Sequence, residues 1–429
     1  MKEALIILES KSAKARLLLL GVILIAIAFA WFSVRWELGS MMAELTPPSR
    51  PNAAQVSHLA QDLSPHDPQG KWLAASVEKE NFSPDSVDRS VKMFEELVRM
   101  SPNDFRWWLE LGRAYEQAEV PEKAELAFRR AVDLAPSYTF PHWQFGNFYL
   151  RQNRSEEAFA ELRKTTERSH IYREQVFSLA WDYFDKDPVQ VEALAADTPD
   201  VRATLALFYA ARGSADNALR IWNTLTDEQK ATNIDTAKRI ARGLFEKQRF
   251  RESLAFSVQT KIDPDSLPET VTNGGFEKFL GNPEDNIFGW HIYRGEKLDI
   301  LPDSNVRFEG TKSLRLKFSG YSKPELHNAV QFIAVEPGAR YRLSFMVRTD
   351  NLRSGGPPVV QVVSGKENVG IGSSEPFEPG SADWKQMTID FTAPSDFDGV
   401  HIRTGRIACG DDCPISGTIW YDDFRLTKL

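Results

Sequence analysis

Three regimes of hydrophobic patterning divide the chain. Leu17 to Val34 is an 18-residue run without a charge, LLLLGVILIAIAFAWFSV, about the length a helix needs to cross a ~30 Å hydrocarbon core. Between residues 71 and 266 apolar side chains recur at helical spacing. Trp108, Leu111, Gly112 and Tyr115 fall at i, i+3, i+4 and i+7, and Ala124, Phe128 and Ala131 repeat the stripe on a second helix. Pro136 then stops it, because a proline pushes the residue before it out of the helical region. Beyond Pro268 the period changes to two. Ser313–Phe318, Tyr341–Val347, Val359–Val363, Trp384–Phe391, Val400–Ile407 and Thr418–Leu426 read as strands, with turn formers such as Glu336-Pro-Gly338 and Ser354-Gly-Gly-Pro-Pro358 between them. Short strands with turn signals predict a β-sandwich. The chain is therefore expected to be multidomain: an N-terminal transmembrane helix, an all-α region and a C-terminal all-β sandwich.

The helical region repeats itself. Gly112 recurs as Gly146, Tyr115 as Tyr149, Ala124 as Ala158 and Phe128 as Leu162, each 34 residues on. A fixed period of this size marks a solenoid, whose units bury their apolar faces only by stacking on one another. The small residues fit where helices approach closely, and the large ones fill the space between. The spacing W-x2-L-G-x2-Y, A-x3-F-x2-A, P in residues 105–138 resembles the tetratricopeptide repeat (TPR). Units at 139–172 and 199–232 are looser matches, those near 173–198 and 233–266 are degenerate, and Ser90, Phe94, Leu97 and Pro102 end an earlier one. The aromatic residues Trp108, Tyr115, Trp143, Phe148, Trp181 and Trp222 read as core. The resemblance implies a concave surface that binds a protein partner, with Arg113, Asn147 and Arg151 as candidate groove residues.

The flanks of the apolar run give it an orientation. Lys2, Lys11, Lys14 and Arg16 precede it and only Arg35 follows closely, while Trp31 and Trp36 stand at its far end. The positive-inside rule and the interfacial preference of tryptophan make residues 1–16 a cytoplasmic tail and 17–36 the span. The competing reading is a cleaved signal peptide ending near Ala28-Phe29-Ala30, whose apolar stretch is normally 7–15 residues; the longer run here favours an uncleaved anchor. The expected location is the bacterial inner membrane, single-pass, with the bulk of the chain periplasmic. Residues 37–70, with Pro47, Pro48, Pro51, Pro65 and Pro68, read as a stiff, mostly extended linker with a short helix near Ala53–Leu63, holding the solenoid (71–266) off the membrane.

In residues 267–429 the order Asn273-Gly-Gly-Phe-Glu277, Gly289-Trp290, Gly310 to Leu316, Gln331, Tyr341 to Phe345 and Trp420-Tyr-Asp-Asp-Phe-Arg-Leu426 resembles the jelly-roll carbohydrate-binding modules of galactose-binding-like fold. The resemblance implies a glycan ligand and a structural Ca2+ between first and last strands. Matching positions are Glu277, Asp422 and Asp423, with backbone oxygens near Gly310–Lys312 completing the six to eight oxygens calcium takes. The alternative is that these carboxylates only tie strand ends by hydrogen bonds. Alternation points Tyr341, Leu343, Phe345 and Val347 inward and Arg342, Ser344, Met346 and Arg348 outward. Tyr293, Gln331, Arg342, Arg348, Gln361, His401 and Arg403 are the candidate carbohydrate-binding residues, and an arginine-bearing face suits an acidic sugar. A solvated face, or a docking surface for the solenoid, is the competing reading.

Composition narrows the field. At 429 residues, with 42% hydrophobic and 26% charged residues, two or three folded domains are allowed. A net charge of -8 with no basic stripe argues against nucleic acid. Cys409 and Cys413, the only two cysteines, sit four apart in a turn-rich loop. A local disulfide suits an exported chain; a zinc site lacks nearby ligands, and a redox motif is normally C-x-x-C. The seven histidines are scattered, and no nucleophile elbow, phosphate loop or dinucleotide fingerprint is present. The expectation is a non-enzymatic scaffold or adaptor. Its solenoid would bind a protein and its sandwich a glycan, as an accessory to polysaccharide assembly or export. A purely protein-binding assembly factor is the alternative and a glycan-active hydrolase the third reading.

Overall fold

The computed structural model describes residues 13–195, 197–278, 280, 286–321, 327–366, 369–410 and 413–429; Lys2 and Lys11 of the expected tail lie outside these. Contacts divide the chain into two units, Met1–Val176 and Phe177–Leu429.

The first unit opens with α1, an unbroken helix from Ala13 to Glu44. Its large apolar side chains from Leu17 to Trp36 are 42–74% exposed, and it is long and apolar enough to span a membrane, a test a signal sequence also passes. The helix does not end at Trp36. Its last turns pack through Gly39 and Ala43 on α2 (Ala53–Leu63) and α3 (Pro68–Glu80), in a cluster with Ala53, Ala60 and Leu73. A Cβ on Gly39 would stand 2.9 Å from the Ala60 carbonyl oxygen, so the two backbones touch. The expected extended linker over 37–70 is thus corrected. The prolines there do not stretch the chain: Pro68 occupies the first turn of α3, where a missing N–H costs nothing, and Asp67 caps that helix through the Gln69 N–H at 3.3 Å.

Helices α4 (Pro84–Met100), α5 (Phe105–Gln117), α6 (Pro121–Leu134), α7 (Thr139–Arg151) and α8 (Ser155–Arg168) follow, and α9 (His170–Tyr183) crosses into the second unit. The pairs α3–α4, α5–α6 and α7–α8 are hairpins. The 34-residue echo has a direct cause: a Cβ at Gly112 would lie 3.0 Å from the Phe128 ring, and one at Gly146 2.7 Å from Leu162 Cγ. The backbone echoes it too, with left-handed Glu119 and Asn153, both at φ 56°, in the two turns. Phe128 forms a three-ring cluster with Phe145 and Phe148, at 6.1 and 5.1 Å. Trp107, 4% exposed, takes the buried place; Trp108 is half-buried, its indole N–H donating to the Pro102 carbonyl at 2.9 Å.

The second unit holds α10 (Pro188–Ala193), α11 (Pro199–Ala211), α12 (Ala215–Asn223), α13 (Asp227–Thr232), α14 (Ile234–Glu246) and α15 (Phe250–Gln259). Among the described residues ten strands follow: β1 (Trp290–Ile292), β2 (Leu298–Asp303), β3 (Ser313–Tyr321), β4 (Ala329–Ala334), β5 (Arg340–Ser354), β6 (Pro358–Ser364), β7 (Gly370–Ser373), β8 (Gly380–Thr392), β9 (Gly399–Arg406) and β10 (Pro414–Lys428). They form two five-stranded antiparallel sheets, β1-β4-β9-β6-β7 and β2-β3-β10-β5-β8. Leu314, Leu316, Phe345, Val360, Ile402 and Tyr421 fill the space between them, as two packed inner faces require.

Candidate ligand-binding surfaces

Strand parity decides what each sheet shows to the outside. On β9, Val400 and Ile402 belong to the core, so His401 and Arg403 face outward. The register sets His401 beside Phe332 and Val363, and Arg403 beside Val330 and Gln361. Arg403 Nε donates to Gln361 Oε1 at 3.0 Å, and Tyr293, just past β1, is 45% exposed. Tyr293, Gln361, His401 and Arg403 therefore share the β1-β4-β9-β6-β7 sheet. The arginines of β5 do not join them. Arg342 and Arg348 belong to the other sheet, where they pair with Asp390 at 2.6 Å and Asp383 at 3.3 Å on β8, and Met346, expected outside, is 8% exposed. The single arginine-bearing face expected from the sequence is thus two separate faces. Gln331 is also corrected. It shares the inward parity of Ala329 and Ile333, is 1% exposed, and its amide accepts from Thr272 N at 3.0 Å and donates to Thr272 O at 2.7 Å.

One end of the outer face of this sheet is covered from within the same unit. Phe250, at the start of α15, lies 4.2 Å from Phe332 and 5.0 Å from Phe397, ring centre to ring centre. Phe245 of α14 lies 4.8 Å from Phe332 and 5.9 Å from Phe288. Gly399 makes room, since a Cβ there would meet the Phe250 ring at 2.9 Å. The Arg251 N–H donates to Asp398 at 2.9 Å, and buried Asp263 accepts from Ser266 Oγ at 2.7 Å and Phe288 N at 3.3 Å. His401 stands edge-on to Phe332 at 4.7 Å. Burial, aided by the charge of Arg403, pushes its imidazole down to about 4, and burial likewise lowers His291 on β1. The helices thus take the His401 end and leave Tyr293, Gln361 and Arg403 partly exposed. Nothing in the sequence flagged Phe250 or Phe332; both are single aromatics in otherwise ordinary helix and strand patterns.

The carboxylates expected to hold calcium are arranged for another task. Glu277 accepts from the N–H groups of Thr311 at 2.8 Å and Lys312 at 3.2 Å and from the Thr311 hydroxyl, which together hold its carboxyl below the usual range. Asp422, fully buried, accepts from the N–H groups of Phe308, Glu309 and Asp423 at 2.8, 3.3 and 2.7 Å; burial nonetheless raises its pKa. Asp423, at φ 50° in the β10 bulge, is paired with Arg425 at 2.6 Å. Calcium needs oxygen donors, whereas the loop 308–312 turns N–H groups toward both carboxylates. The arrangement is that of carboxylates tying strand ends by hydrogen bonds, and among the described residues no group of three or more His, Cys, Asp or Glu could hold a metal.

On the solenoid, the candidate groove residues are tied down within and between α5 and α7. Arg113 pairs with Glu110 at 2.6 Å and covers the Phe140 ring at 5.6 Å. Arg151 makes a two-pronged pair with Glu116 at 2.6 and 2.9 Å, and Asn147 donates to the Trp143 carbonyl at 2.8 Å. Beside them is a concavity of about 260 Å³ bordered by Trp72, Arg106, Trp107, Glu110 and Phe140. The buried indole N–H of Trp107 has no hydrogen-bond partner among the described residues, a state that native interiors usually avoid.

Cys409 and Cys413 are disulfide-bonded, their Cα atoms 5.4 Å apart. Cys413 is fully buried and Cys409 half-exposed.

Comparison with known proteins agrees with both modules. Residues 86–139 match a family model described as tetratricopeptide repeat, and residues 268–404 one described as carbohydrate binding domain. The chain is 31% identical over 84 residues to a peroxisomal targeting signal receptor of Saccharomyces cerevisiae, a match spanning 20% of this chain and 13% of that protein's length. Among solved structures, one titled "CBM4 structure and function" is 18% identical, covering 37% of this chain and 99% of its own, with a TM-score of 0.28. A thermophilic TPR protein of Thermus thermophilus is 22% identical, covering 50% and 99%, with a TM-score of 0.26.

Proposed function

We propose that this chain is a membrane-anchored envelope scaffold: its solenoid engages a protein partner, its sandwich binds a glycan, and the pair serves polysaccharide assembly or export. The observation behind this reading is the joining, in one polypeptide, of a tetratricopeptide-repeat segment and a carbohydrate-binding domain, after a helix suited to a bilayer. Both matched modules are of non-catalytic kinds. The glycan surface is the uncovered part of the β9–β6 face, where Arg403 presents a guanidinium beside the Gln361 amide, a planar pair suited to sugar hydroxyls and carboxylates. The protein partner docks on the α3–α5–α7 side, over the concavity bordered by Trp72, Arg106 and Phe140. The test is a glycan array with the full chain in detergent. Binding to acidic polysaccharide, lost in Arg403→Ala and retained in Arg342→Ala, is expected; equal loss in both refutes the assignment. Retention in membranes after alkaline extraction is expected of the anchor, and release of a shortened soluble form would refute it.

A second reading has its own support. The aromatic contact of α14–α15 with Phe332 and Phe397 makes the sandwich a cap for the last helical hairpin, with protein binding alone as the chain's role. Failure to bind any neutral or acidic glycan favours it.

A further inference from the structure

The end of β9, the start of β10 and the β5–β6 turn meet at one buried cation. Arg406, 9% exposed, donates to the carbonyls of Gly356, Cys413 and Pro414, each at 3.1 Å. It also donates to Ser354 Oγ at 3.1 Å and, through Nη2, to Cys413 Sγ at 2.9 Å, against 4.0 Å for Cys409 Sγ. The two sulfurs therefore differ. Cys409 is half-exposed and its sulfur is the farther of the two from the charge; Cys413 is buried, with its sulfur against it. The glycines of the turn are shaped around the pair, since a Cβ on Gly356 would come within 2.9 Å of one sulfur and 3.1 Å of the other.

We propose that Cys409–Cys413 is a thiol-exchange site for a small external thiol, rather than an inert staple. The attacking thiolate approaches Cys409, the half-exposed member of the pair. The Cys409–Cys413 bond breaks as the new mixed disulfide forms, and Cys413 departs as a thiolate whose negative charge the Arg406 guanidinium receives in place. No net electrons move in this step. A second external thiolate then displaces Cys409, giving the external disulfide and a reduced pair, so the two electrons come from the two thiols. A leaving thiol of low pKa speeds exchange, and a neighbouring guanidinium is what lowers it. Exchange releases Cys409 from the bond and leaves Cys413 against Arg406, on the strand that also carries Arg403. The inference is independent of whether that face binds a glycan.

The test uses the full chain in detergent, equilibrated with reduced and oxidised glutathione, trapped by alkylation and mapped by peptide mass spectrometry. The glutathione adduct is expected on Cys409, and in the reduced protein the alkylation rate of Cys413 is expected to titrate well below the ordinary thiol range of about 8.5. Arg406→Gln should shift the equilibrium toward the protein disulfide by about tenfold or more, and Arg406→Lys, which keeps the charge, should restore part of the thiolate signature. Because Arg406→Gln strands several buried acceptors and can unfold the corner, the wild-type measurements decide the matter alone. An adduct on Cys413, or a Cys413 thiol titrating at or above the ordinary range, overturns the proposal.

Discussion

Phe250→Ala measures how firmly the last helical hairpin is built into the sandwich. The side chain is 3% exposed, and three rings lie close: Phe332 at 4.2 Å, Phe245 at 4.9 Å and Phe397 at 5.0 Å. Removing a buried phenylalanine costs about 3–5 kcal/mol. Relaxation is limited, because Gly399 and Gly365, which border the cluster, have no side chains to swing into the hole, so a loss near 4 kcal/mol is expected. In a unit of this size each kcal/mol moves the melting temperature by about 2–4 °C, or roughly 10 °C in all. The assay is thermal unfolding of the full chain in detergent, followed by tryptophan fluorescence, completed by Phe332→Ala and the double variant. Residues in contact couple by about 0.5–3 kcal/mol, so the double variant should lose less than the sum of the singles. Phe308→Ala, at a 48% exposed site on the same sandwich, is the control and should cost under about 0.5 kcal/mol. A loss below about 1 kcal/mol in Phe250→Ala, with strict additivity in the double variant, would refute the shared core.

Gly146→Ala tests the helix crossing that generates the repeat. Alanine gains about 1 kcal/mol of helix propensity, but its Cβ would lie 2.7 Å from Leu162 Cγ and 3.0 Å from the Ala158 carbonyl, and backbone cannot yield, so a net loss of about 1–3 kcal/mol is expected in the urea midpoint; a gain contradicts the crossing. Stability should also fall with acid: His401, held to about 4 when folded, takes its proton in the unfolded chain first, so the loss begins near pH 6.5 and ends near pH 4. His401→Gln should flatten that part of the profile, and an unchanged profile would show that other groups carry it. Asp422→Ala strands the N–H groups of Phe308 and Glu309 at about 1–3 kcal/mol each, visible as a lower melting temperature. Millimolar Ca2+ should leave the melting temperature unmoved; a rise growing with the logarithm of calcium concentration would mean that loop 308–312 rearranges to present oxygens.

The repeat was readable because its cause is steric and local: Gly112 and Gly146 answer to Phe128 and Leu162 within one hairpin. Strand parity was readable for the same reason, and Tyr341, Leu343 and Phe345 do face the core. Sheet membership was not. A period of two says which residues share a face of one strand but nothing about which strands are neighbours, so Arg342 on β5 and Arg403 on β9 were expected together and lie on different sheets. Gln331 looked like a ligand residue because its partner, Thr272, lies 59 residues upstream, and no local pattern records so distant a bond. The segment 37–70 misled through its prolines, which stiffen an extended chain or open a helix equally well; packing against Gly39 and Ala43 decides between the two.

The unbroken run of α1 into the first solenoid hairpin has a mechanical consequence. A helix advances about 100° per residue, so the azimuth at which the helix leaves a bilayer would fix the direction in which Gly39 and Ala43 point, and with it the heading of the hairpin they hold. The joint is a keyed shaft rather than a tether. One extra residue inserted near Trp36 would turn the key by about 100° and strip it from its slot, whereas seven would return it almost to register at the expense of two more turns of height.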